Sequence, residues 1–141
     1  MVVSAWFRPY FSMINYIMGV VITIAADTQK NTFLKHVKTR PILINDGMFA
    51  RSRNMNYFGE MLLYSSFATV SNHWISYSII LWAFLSVMPM RMIQKESSLK
   101  KKPGFKMYVR EANFLIPKIF GLADLEIVAL VMLGLTVFAF I

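Results

Sequence analysis

Arg51-Ser52-Arg53-Asn54-Met55-Asn56-Tyr57-Phe58-Gly59-Glu60 leads directly into the apolar run Met61-Leu62-Leu63-Tyr64. Arginine, asparagine, tyrosine and glutamate therefore stand together at the mouth of an apolar helix. A helix entering a membrane normally sheds such groups, because an ionised side chain inside it costs roughly 2.5–3.5 kcal/mol on insertion scales. Glu60 lies at the helix edge, where the cost is lower, and pairing with Arg51 or Arg53 would offset it. The cluster is the place to look for a ligand or a partner.

The chain around it is strongly apolar. Of 141 residues 57% are hydrophobic and only 16% charged, and the mean hydropathy is +0.52. Soluble domains carry about 25% charged residues, so an integral membrane protein is expected. With no cysteine there is no disulfide framework, thiolate site or cysteine nucleophile. Only two histidines, His36 and His73, are present and they are far apart, so no metal site is expected. The net charge of +8 reads as a positive-inside bias and attraction to a lipid bilayer with anionic headgroups, with no nucleic-acid partner implied.

The expected fold is all-α, a single membrane domain over residues 1–141 with about four transmembrane helices. Trp6, Phe7 and Tyr10 are interfacial anchors, and the first span is Phe11 to Ala26, read as a retained helix rather than a signal peptide. Asp27 to Ala50 is a polar loop, interrupted at Arg40-Pro41 and turning at Asn45-Asp46-Gly47. Asn56 to Ser71 is the second apolar stretch. Ser71-Asn72-His73 is a tight turn into Trp74–Gln94, so helices two and three form a hairpin. His73 has an interfacial role. Pro89 kinks the end of the third span. Lys95 to Lys118 is a second basic loop. Leu122 to Ile141 is an additional C-terminal transmembrane helix, which Asp124 or Glu126 can cap.

Fourteen of the fifteen Lys and Arg lie between Lys30 and Lys118, and none lies between Met61 and Met90. Loops 27–58 and 91–120 therefore share one membrane face, on the cytosolic or matrix side. Asp27, Lys30, Lys35, Lys38, Arg40, Arg51, Arg53, Asn56, Tyr57, Glu60, Arg91, Lys95, Glu96, Tyr108 and Arg110 all belong to that face. They suit a phosphate-bearing ligand, but composition alone favours the plainer reading, the solvated and headgroup-facing ends of four helices. Tyr64, Ser65, Ser66 and Thr69 on helix two are expected as an exposed polar run that favours a protein partner.

Asn56-Tyr57-Phe58-Gly59-Glu60 resembles the Asn-Tyr-Phe-Gly-Glu signature of the steroid 5-alpha-reductase C-terminal domain and the related DUF1295 membrane proteins. Ala26-Asp27-Thr28-Gln29-Lys30 resembles the Ala-Asp-x-Gln-Lys element of the DUF1295 branch. Asp46-Gly47-Met48-Phe49-Ala50-Arg51-Ser52-Arg53 is similar to its Asp-Gly-Leu-Trp-x-x-Ser-Arg. Lys95-Glu96, Tyr108 and Ile116-Pro117-Lys118 resemble the closing stretch. The resemblance covers residues 22–120, roughly 70% of the chain.

It implies a helical membrane fold that binds NADPH at its cytosolic face and reduces a lipid or steroid double bond. Carried over by motif, Asp27, Asn56, Tyr57 and Glu60 contact the cofactor, with Arg53, Arg91 and Tyr108 as further candidates. Isoprenylcysteine carboxyl methyltransferases, a sister branch, use Arg-His-Pro-x-Tyr. Arg53-Asn54-Met55-Asn56-Tyr57 departs from that pattern and weakens a methyltransferase reading. Only one span precedes the signature, whereas the family's N-terminal helices supply the lipid pocket, so a shortened member is expected. Two functions follow. One is a non-catalytic accessory or structural subunit packed against other membrane subunits, a pseudoenzyme. The other is an NADPH-dependent reductase. The expected membrane is the endoplasmic reticulum or the mitochondrial inner membrane.

Overall fold

Apolar and polar stretches alike fold into helix in the computed structural model, which describes residues 3–37, 42–118, 122 and 124. Helix α1 runs Val3–His36. It therefore continues about ten residues past Ala26 into what the sequence reading makes a polar loop. Residues 27–36 contain neither glycine nor proline. Lys35 and His36 in the last turn favour the negative end of the helix dipole. Polarity marks the end of an apolar span, not the end of a helix.

Helix α2, Met55–Ser71, packs along α1. Small residues allow this. Ser12, Gly19 and Ala26 recur every seven residues on α1 and are all buried, as are Gly59 and Ser66 on α2. A Cβ on Gly19 would fall 2.6 Å from the Leu63 nitrogen and 2.8 Å from the Gly59 carbonyl oxygen. One on Gly59 would fall 2.8 Å from the Thr23 nitrogen and 3.0 Å from the Gly19 carbonyl oxygen. The two backbones touch, and close backbone approach is how helices associate where no hydrophobic effect acts between them. At the polar end of this crossing Ala26, Phe49 and Met55 form the core, with Ile22, Ile44, Met48 and Phe58 against it.

Asn72 and His73 join α2 to α3, Trp74–Leu85, which packs on α2. Asn72 takes φ 49°, a left-handed conformation that asparagine tolerates. Its amide donates to the Ala68 carbonyl at 2.9 Å. His73 caps α3, its Nδ1 accepting from the Ile75 amide at 3.3 Å. The expected third span divides at Ser86 into α3 and α4, Val87–Leu99. Pro89 lacks the amide that would bond Leu85, and its ring crowds that carbonyl, so the break falls three residues before the proline. Helix α4 also extends five residues into the expected basic loop, and α5, Phe105–Glu111, occupies more of it.

Two stretches, Phe7–His36 and Trp74–Leu99, are long and apolar enough to cross a membrane. No residue of α3 is buried, and Trp74, Ile79, Trp82 and Leu85 are broadly exposed, as lipid-facing residues would be. Helix α2 has 17 residues, about 26 Å at 1.5 Å per residue. The expected fourth helix falls almost wholly outside the described residues. The expected exposed polar run on α2 fails at Ser66, which is 2% exposed. Its hydroxyl donates to the Leu63 carbonyl at 2.6 Å, and Thr69 donates to the Ser65 carbonyl at 2.8 Å. These hydroxyls are satisfied within their own helix.

Candidate functional site

Two side-chain clamps shape the polar end of the molecule. In the first, the Gln29 amide on α1 holds the turn at Asp46-Gly47-Met48. Gln29 Nε2 donates to the Asp46 carbonyl at 2.9 Å, and the Met48 amide donates to Gln29 Oε1 at 3.0 Å. Gly47 has φ 54°, and a Cβ there would fall 2.6 Å from Gln29 Nε2, so glycine is needed twice over. The turn leads into a short 3₁₀ segment, Gly47–Ala50.

The second clamp ties Arg51–Asn54 to residues 113–118. The Arg53 amide donates to the Asn113 carbonyl at 2.9 Å, and the Lys118 amide donates to the Arg51 carbonyl at 2.9 Å. Ser52 Oγ donates to the Leu115 carbonyl at 2.7 Å, and Asn54 Nδ2 to the Phe114 carbonyl at 2.9 Å. Asp124 closes the arrangement. Its carboxylate accepts from the amides of Phe114 at 2.6 Å and Ile116 at 2.7 Å, and from Leu115 at 3.3 Å. Asp124, expected as a helix cap, thus binds backbone eight to ten residues before it.

The seven residues carried over to a cofactor divide into two groups. Arg53 and Tyr108 are buried and turned inward. The Arg53 guanidinium places Nε 3.2 Å from Glu96 Oε1 and Nη1 2.5 Å from the Ala112 carbonyl. Its plane lies 5.6 Å from the Phe114 ring centre. The expected pairing of Glu60 with Arg53 is replaced by this Arg53–Glu96 pair, because α4 brings Glu96 to the arginine. Tyr108 donates to the Phe49 carbonyl at 2.8 Å. Burial, the largest influence, pushes the Tyr108 phenol above its ordinary range, while Arg53 opposes this and Glu96 and Asp46 add to it.

Asp27, Asn56, Tyr57 and Glu60 are half-buried and Arg91 is exposed. Asp27 of α1 and Arg91 of α4 both act electrostatically on Glu60 of α2. Asn56 Oδ1 is buried without a hydrogen-bond partner. Between the two groups stands Lys95. Its Nζ donates to the Arg53 carbonyl at 2.7 Å and lies 5.5 Å from the Phe49 ring centre and 5.8 Å from that of Tyr57.

Beside Lys95 opens a cavity of about 270 Å³ lined by cations (Lys30, Arg53, Lys95, Lys102), by Tyr108 and Ser98, and by the apolar Leu34, Ile44, Phe49 and Leu99. Arg53 and Tyr108 line it; the other five carried-over residues do not. Its volume falls below the roughly 300 Å³ at the small end of ligand sites. Its residues come from α1, the 44–53 segment, α4 and the 102–108 segment, so no local motif announces it. Among the described residues no cluster of three metal-ligating side chains occurs.

The family model described as "Protein of unknown function (DUF1295)" matches residues 4–112. The chain belongs to the DUF1295 family. No curated protein and no solved structure matches it. The DUF1295 match takes in nearly all of α1 and ends at Ala112, whose carbonyl receives the Arg53 guanidinium. Within this DUF1295 chain the Ala-Asp-x-Gln-Lys and Asp-Gly elements are held to one another by the Gln29 amide.

Proposed function

We propose that this DUF1295 chain is an integral membrane protein acting as a non-catalytic accessory or structural subunit of a larger membrane complex. The use made of Arg53 and Tyr108 carries this reading. The arginine, with Glu96 and the Ala112 carbonyl, and the tyrosine, with the Phe49 carbonyl, are engaged in holding segments 49–53 and 108–112 together. To reach a nucleotide, both would have to leave buried partners. The proposal includes four membrane helices and both basic loops on the cytosolic or matrix face, in the endoplasmic reticulum or the mitochondrial inner membrane.

Purification from native membranes in mild detergent tests it. Fixed stoichiometry with other membrane subunits is expected, and NADPH oxidation by the isolated chain would refute it. Because the chain has no cysteine, single cysteines report sidedness. Asn45→Cys and Lys101→Cys should label from one face and Ser71→Cys from the other.

A second reading, an NADPH-dependent reductase of a lipid double bond, is favoured by the unpartnered Asn56 Oδ1 on the helix that also carries half-buried Tyr57 and Glu60. A ligand donor would satisfy that oxygen. In this reading Asp27, Asn56, Tyr57, Glu60 and Arg91 bind, while Arg53 and Tyr108 position. NADPH-dependent thermal shift that disappears in Tyr57→Phe and Glu60→Gln would select it over the accessory reading.

A further inference from the structure

The cavity beside Lys95 shares only Arg53 and Tyr108 with the carried-over set. Four cations line it and no carboxylate does. Arg53 is met by Glu96. Lys30 and Lys102 act on Lys95 as like charges, with Asp27 and Glu96 opposing them. Lys95 is fixed by its bond to the Arg53 carbonyl and its two flanking rings, so this charge is held in place before any ligand arrives.

The other walls are Leu34, Ile44, Phe49 and Leu99. Cations beside an aliphatic wall suit an amphiphile with an anionic head. The position agrees with this. Lys30 and Leu34 lie in the last turns of the apolar stretch Phe7–His36, and Lys95, Ser98 and Leu99 in those of Trp74–Leu99. The cavity thus sits at the polar ends of both candidate spans, the depth at which lipid headgroups lie. A phosphate monoester carries about −1.5 to −2 charges at neutral pH, enough to engage more than one cation of this lining. The volume of about 270 Å³ accepts a small head and the start of a chain.

We infer that this cavity seats the phosphate head of an anionic phospholipid, with Lys30 and Lys95 facing the phosphate and Leu34, Ile44 and Leu99 facing its apolar part. The inference does not rest on the accessory reading, since a subunit and an enzyme could both hold such a lipid.

Ligand-dependent thermal shift of the detergent-purified chain tests it, using dioctanoyl phosphatidic acid, dioctanoyl phosphatidylcholine, inorganic phosphate and NADPH as probes. Phosphatidic acid should stabilise the chain and phosphatidylcholine should not. Lys30 is exposed, so Lys30→Gln should leave the unliganded melting temperature unchanged and weaken phosphatidic acid roughly tenfold, as expected for one charge-assisted contact. Lys30→Arg should restore binding. Lys106→Gln, which removes a cation outside the cavity, should have no such effect. Equal weakening in Lys30→Gln and Lys106→Gln would mean diffuse attraction to a basic surface and would overturn the inference. So would binding of inorganic phosphate or NADPH, abolished by Lys30→Gln, without binding of phosphatidic acid. That result would assign the seat to a free phosphate.

Discussion

Replacing Gly59 by alanine probes the contact on which the fold depends. The added methyl would lie 2.5 Å from Thr23 Oγ1 and 2.8 Å from the Thr23 nitrogen. The hydroxyl can rotate away; the backbone nitrogen cannot. Restoring an ordinary contact of about 3.5 Å requires α1 and α2 to separate by roughly 0.7 Å. Such overpacking costs about 1–3 kcal/mol. The separation also loosens the Gly19–Leu63 approach, which favours the upper part of that range. Alanine returns about 1 kcal/mol of helix propensity. The expected net loss is about 2 kcal/mol, or about 6 °C at roughly 3 °C per kcal/mol for a chain of this size.

Thermal unfolding in detergent, followed by far-ultraviolet circular dichroism, measures it. Gly104→Ala separates clash from backbone strain. Gly104 has φ 81° and nothing within 4 Å of the added methyl, so it should cost only the left-handed strain of about 1–2 kcal/mol. Gly19→Ala/Gly59→Ala together should cost less than the sum of the two, because one separation accommodates both methyls. A Gly59→Ala variant that melts about 3 °C higher than the parent, as propensity alone predicts, would refute the close crossing.

Gln29→Ala removes three hydrogen bonds to the Asp46–Met48 turn and should cost about 1–2 kcal/mol, with faster amide exchange at Met48 by hydrogen–deuterium exchange. Arg53→Met leaves Glu96 without its cation and should destabilise the chain by about 3–5 kcal/mol; adding Glu96→Gln should recover part of that loss in the same melting assay. Tyr108 supplies the pH dependence. Its folded-state pKa is raised by burial, so its contribution is fully present below the unfolded value of about 10 and is lost as pH rises above it. The parent should lose stability more steeply than Tyr108→Phe in alkaline melts, while Tyr108→Phe is about 1 kcal/mol less stable near neutral pH through loss of the bond to Phe49.

The helical, membrane-compatible character of the chain and the α2–α3 turn were legible in the sequence because hydropathy and punctuation are local. Asn72 terminates α2 by a conformation its own side chain tolerates, and Pro89 breaks the following helix by a clash with its own preceding turn. The resemblance to DUF1295 proteins was equally local, and the family match over residues 4–112 agrees with it. The length of α1 was not legible, because the charge and amide groups of residues 27–36 mark the end of an apolar span but do not by themselves stop a helix as glycine, proline or a capping geometry does.

The partners of the signature residues belong to tertiary structure alone. Arg53 is three residues from its neighbour Asn56 in sequence, yet it turns to Glu96 and Ala112 while Asn56 lies among a different group. Nothing local distinguishes an arginine that binds a ligand from one that clamps a loop. That difference depends on where α4 and α5 pass. The cavity beside Lys95 is decided in the same way, since its cations and its apolar wall are drawn from four segments that only the α1–α2 crossing and the turn held by Gln29 bring side by side.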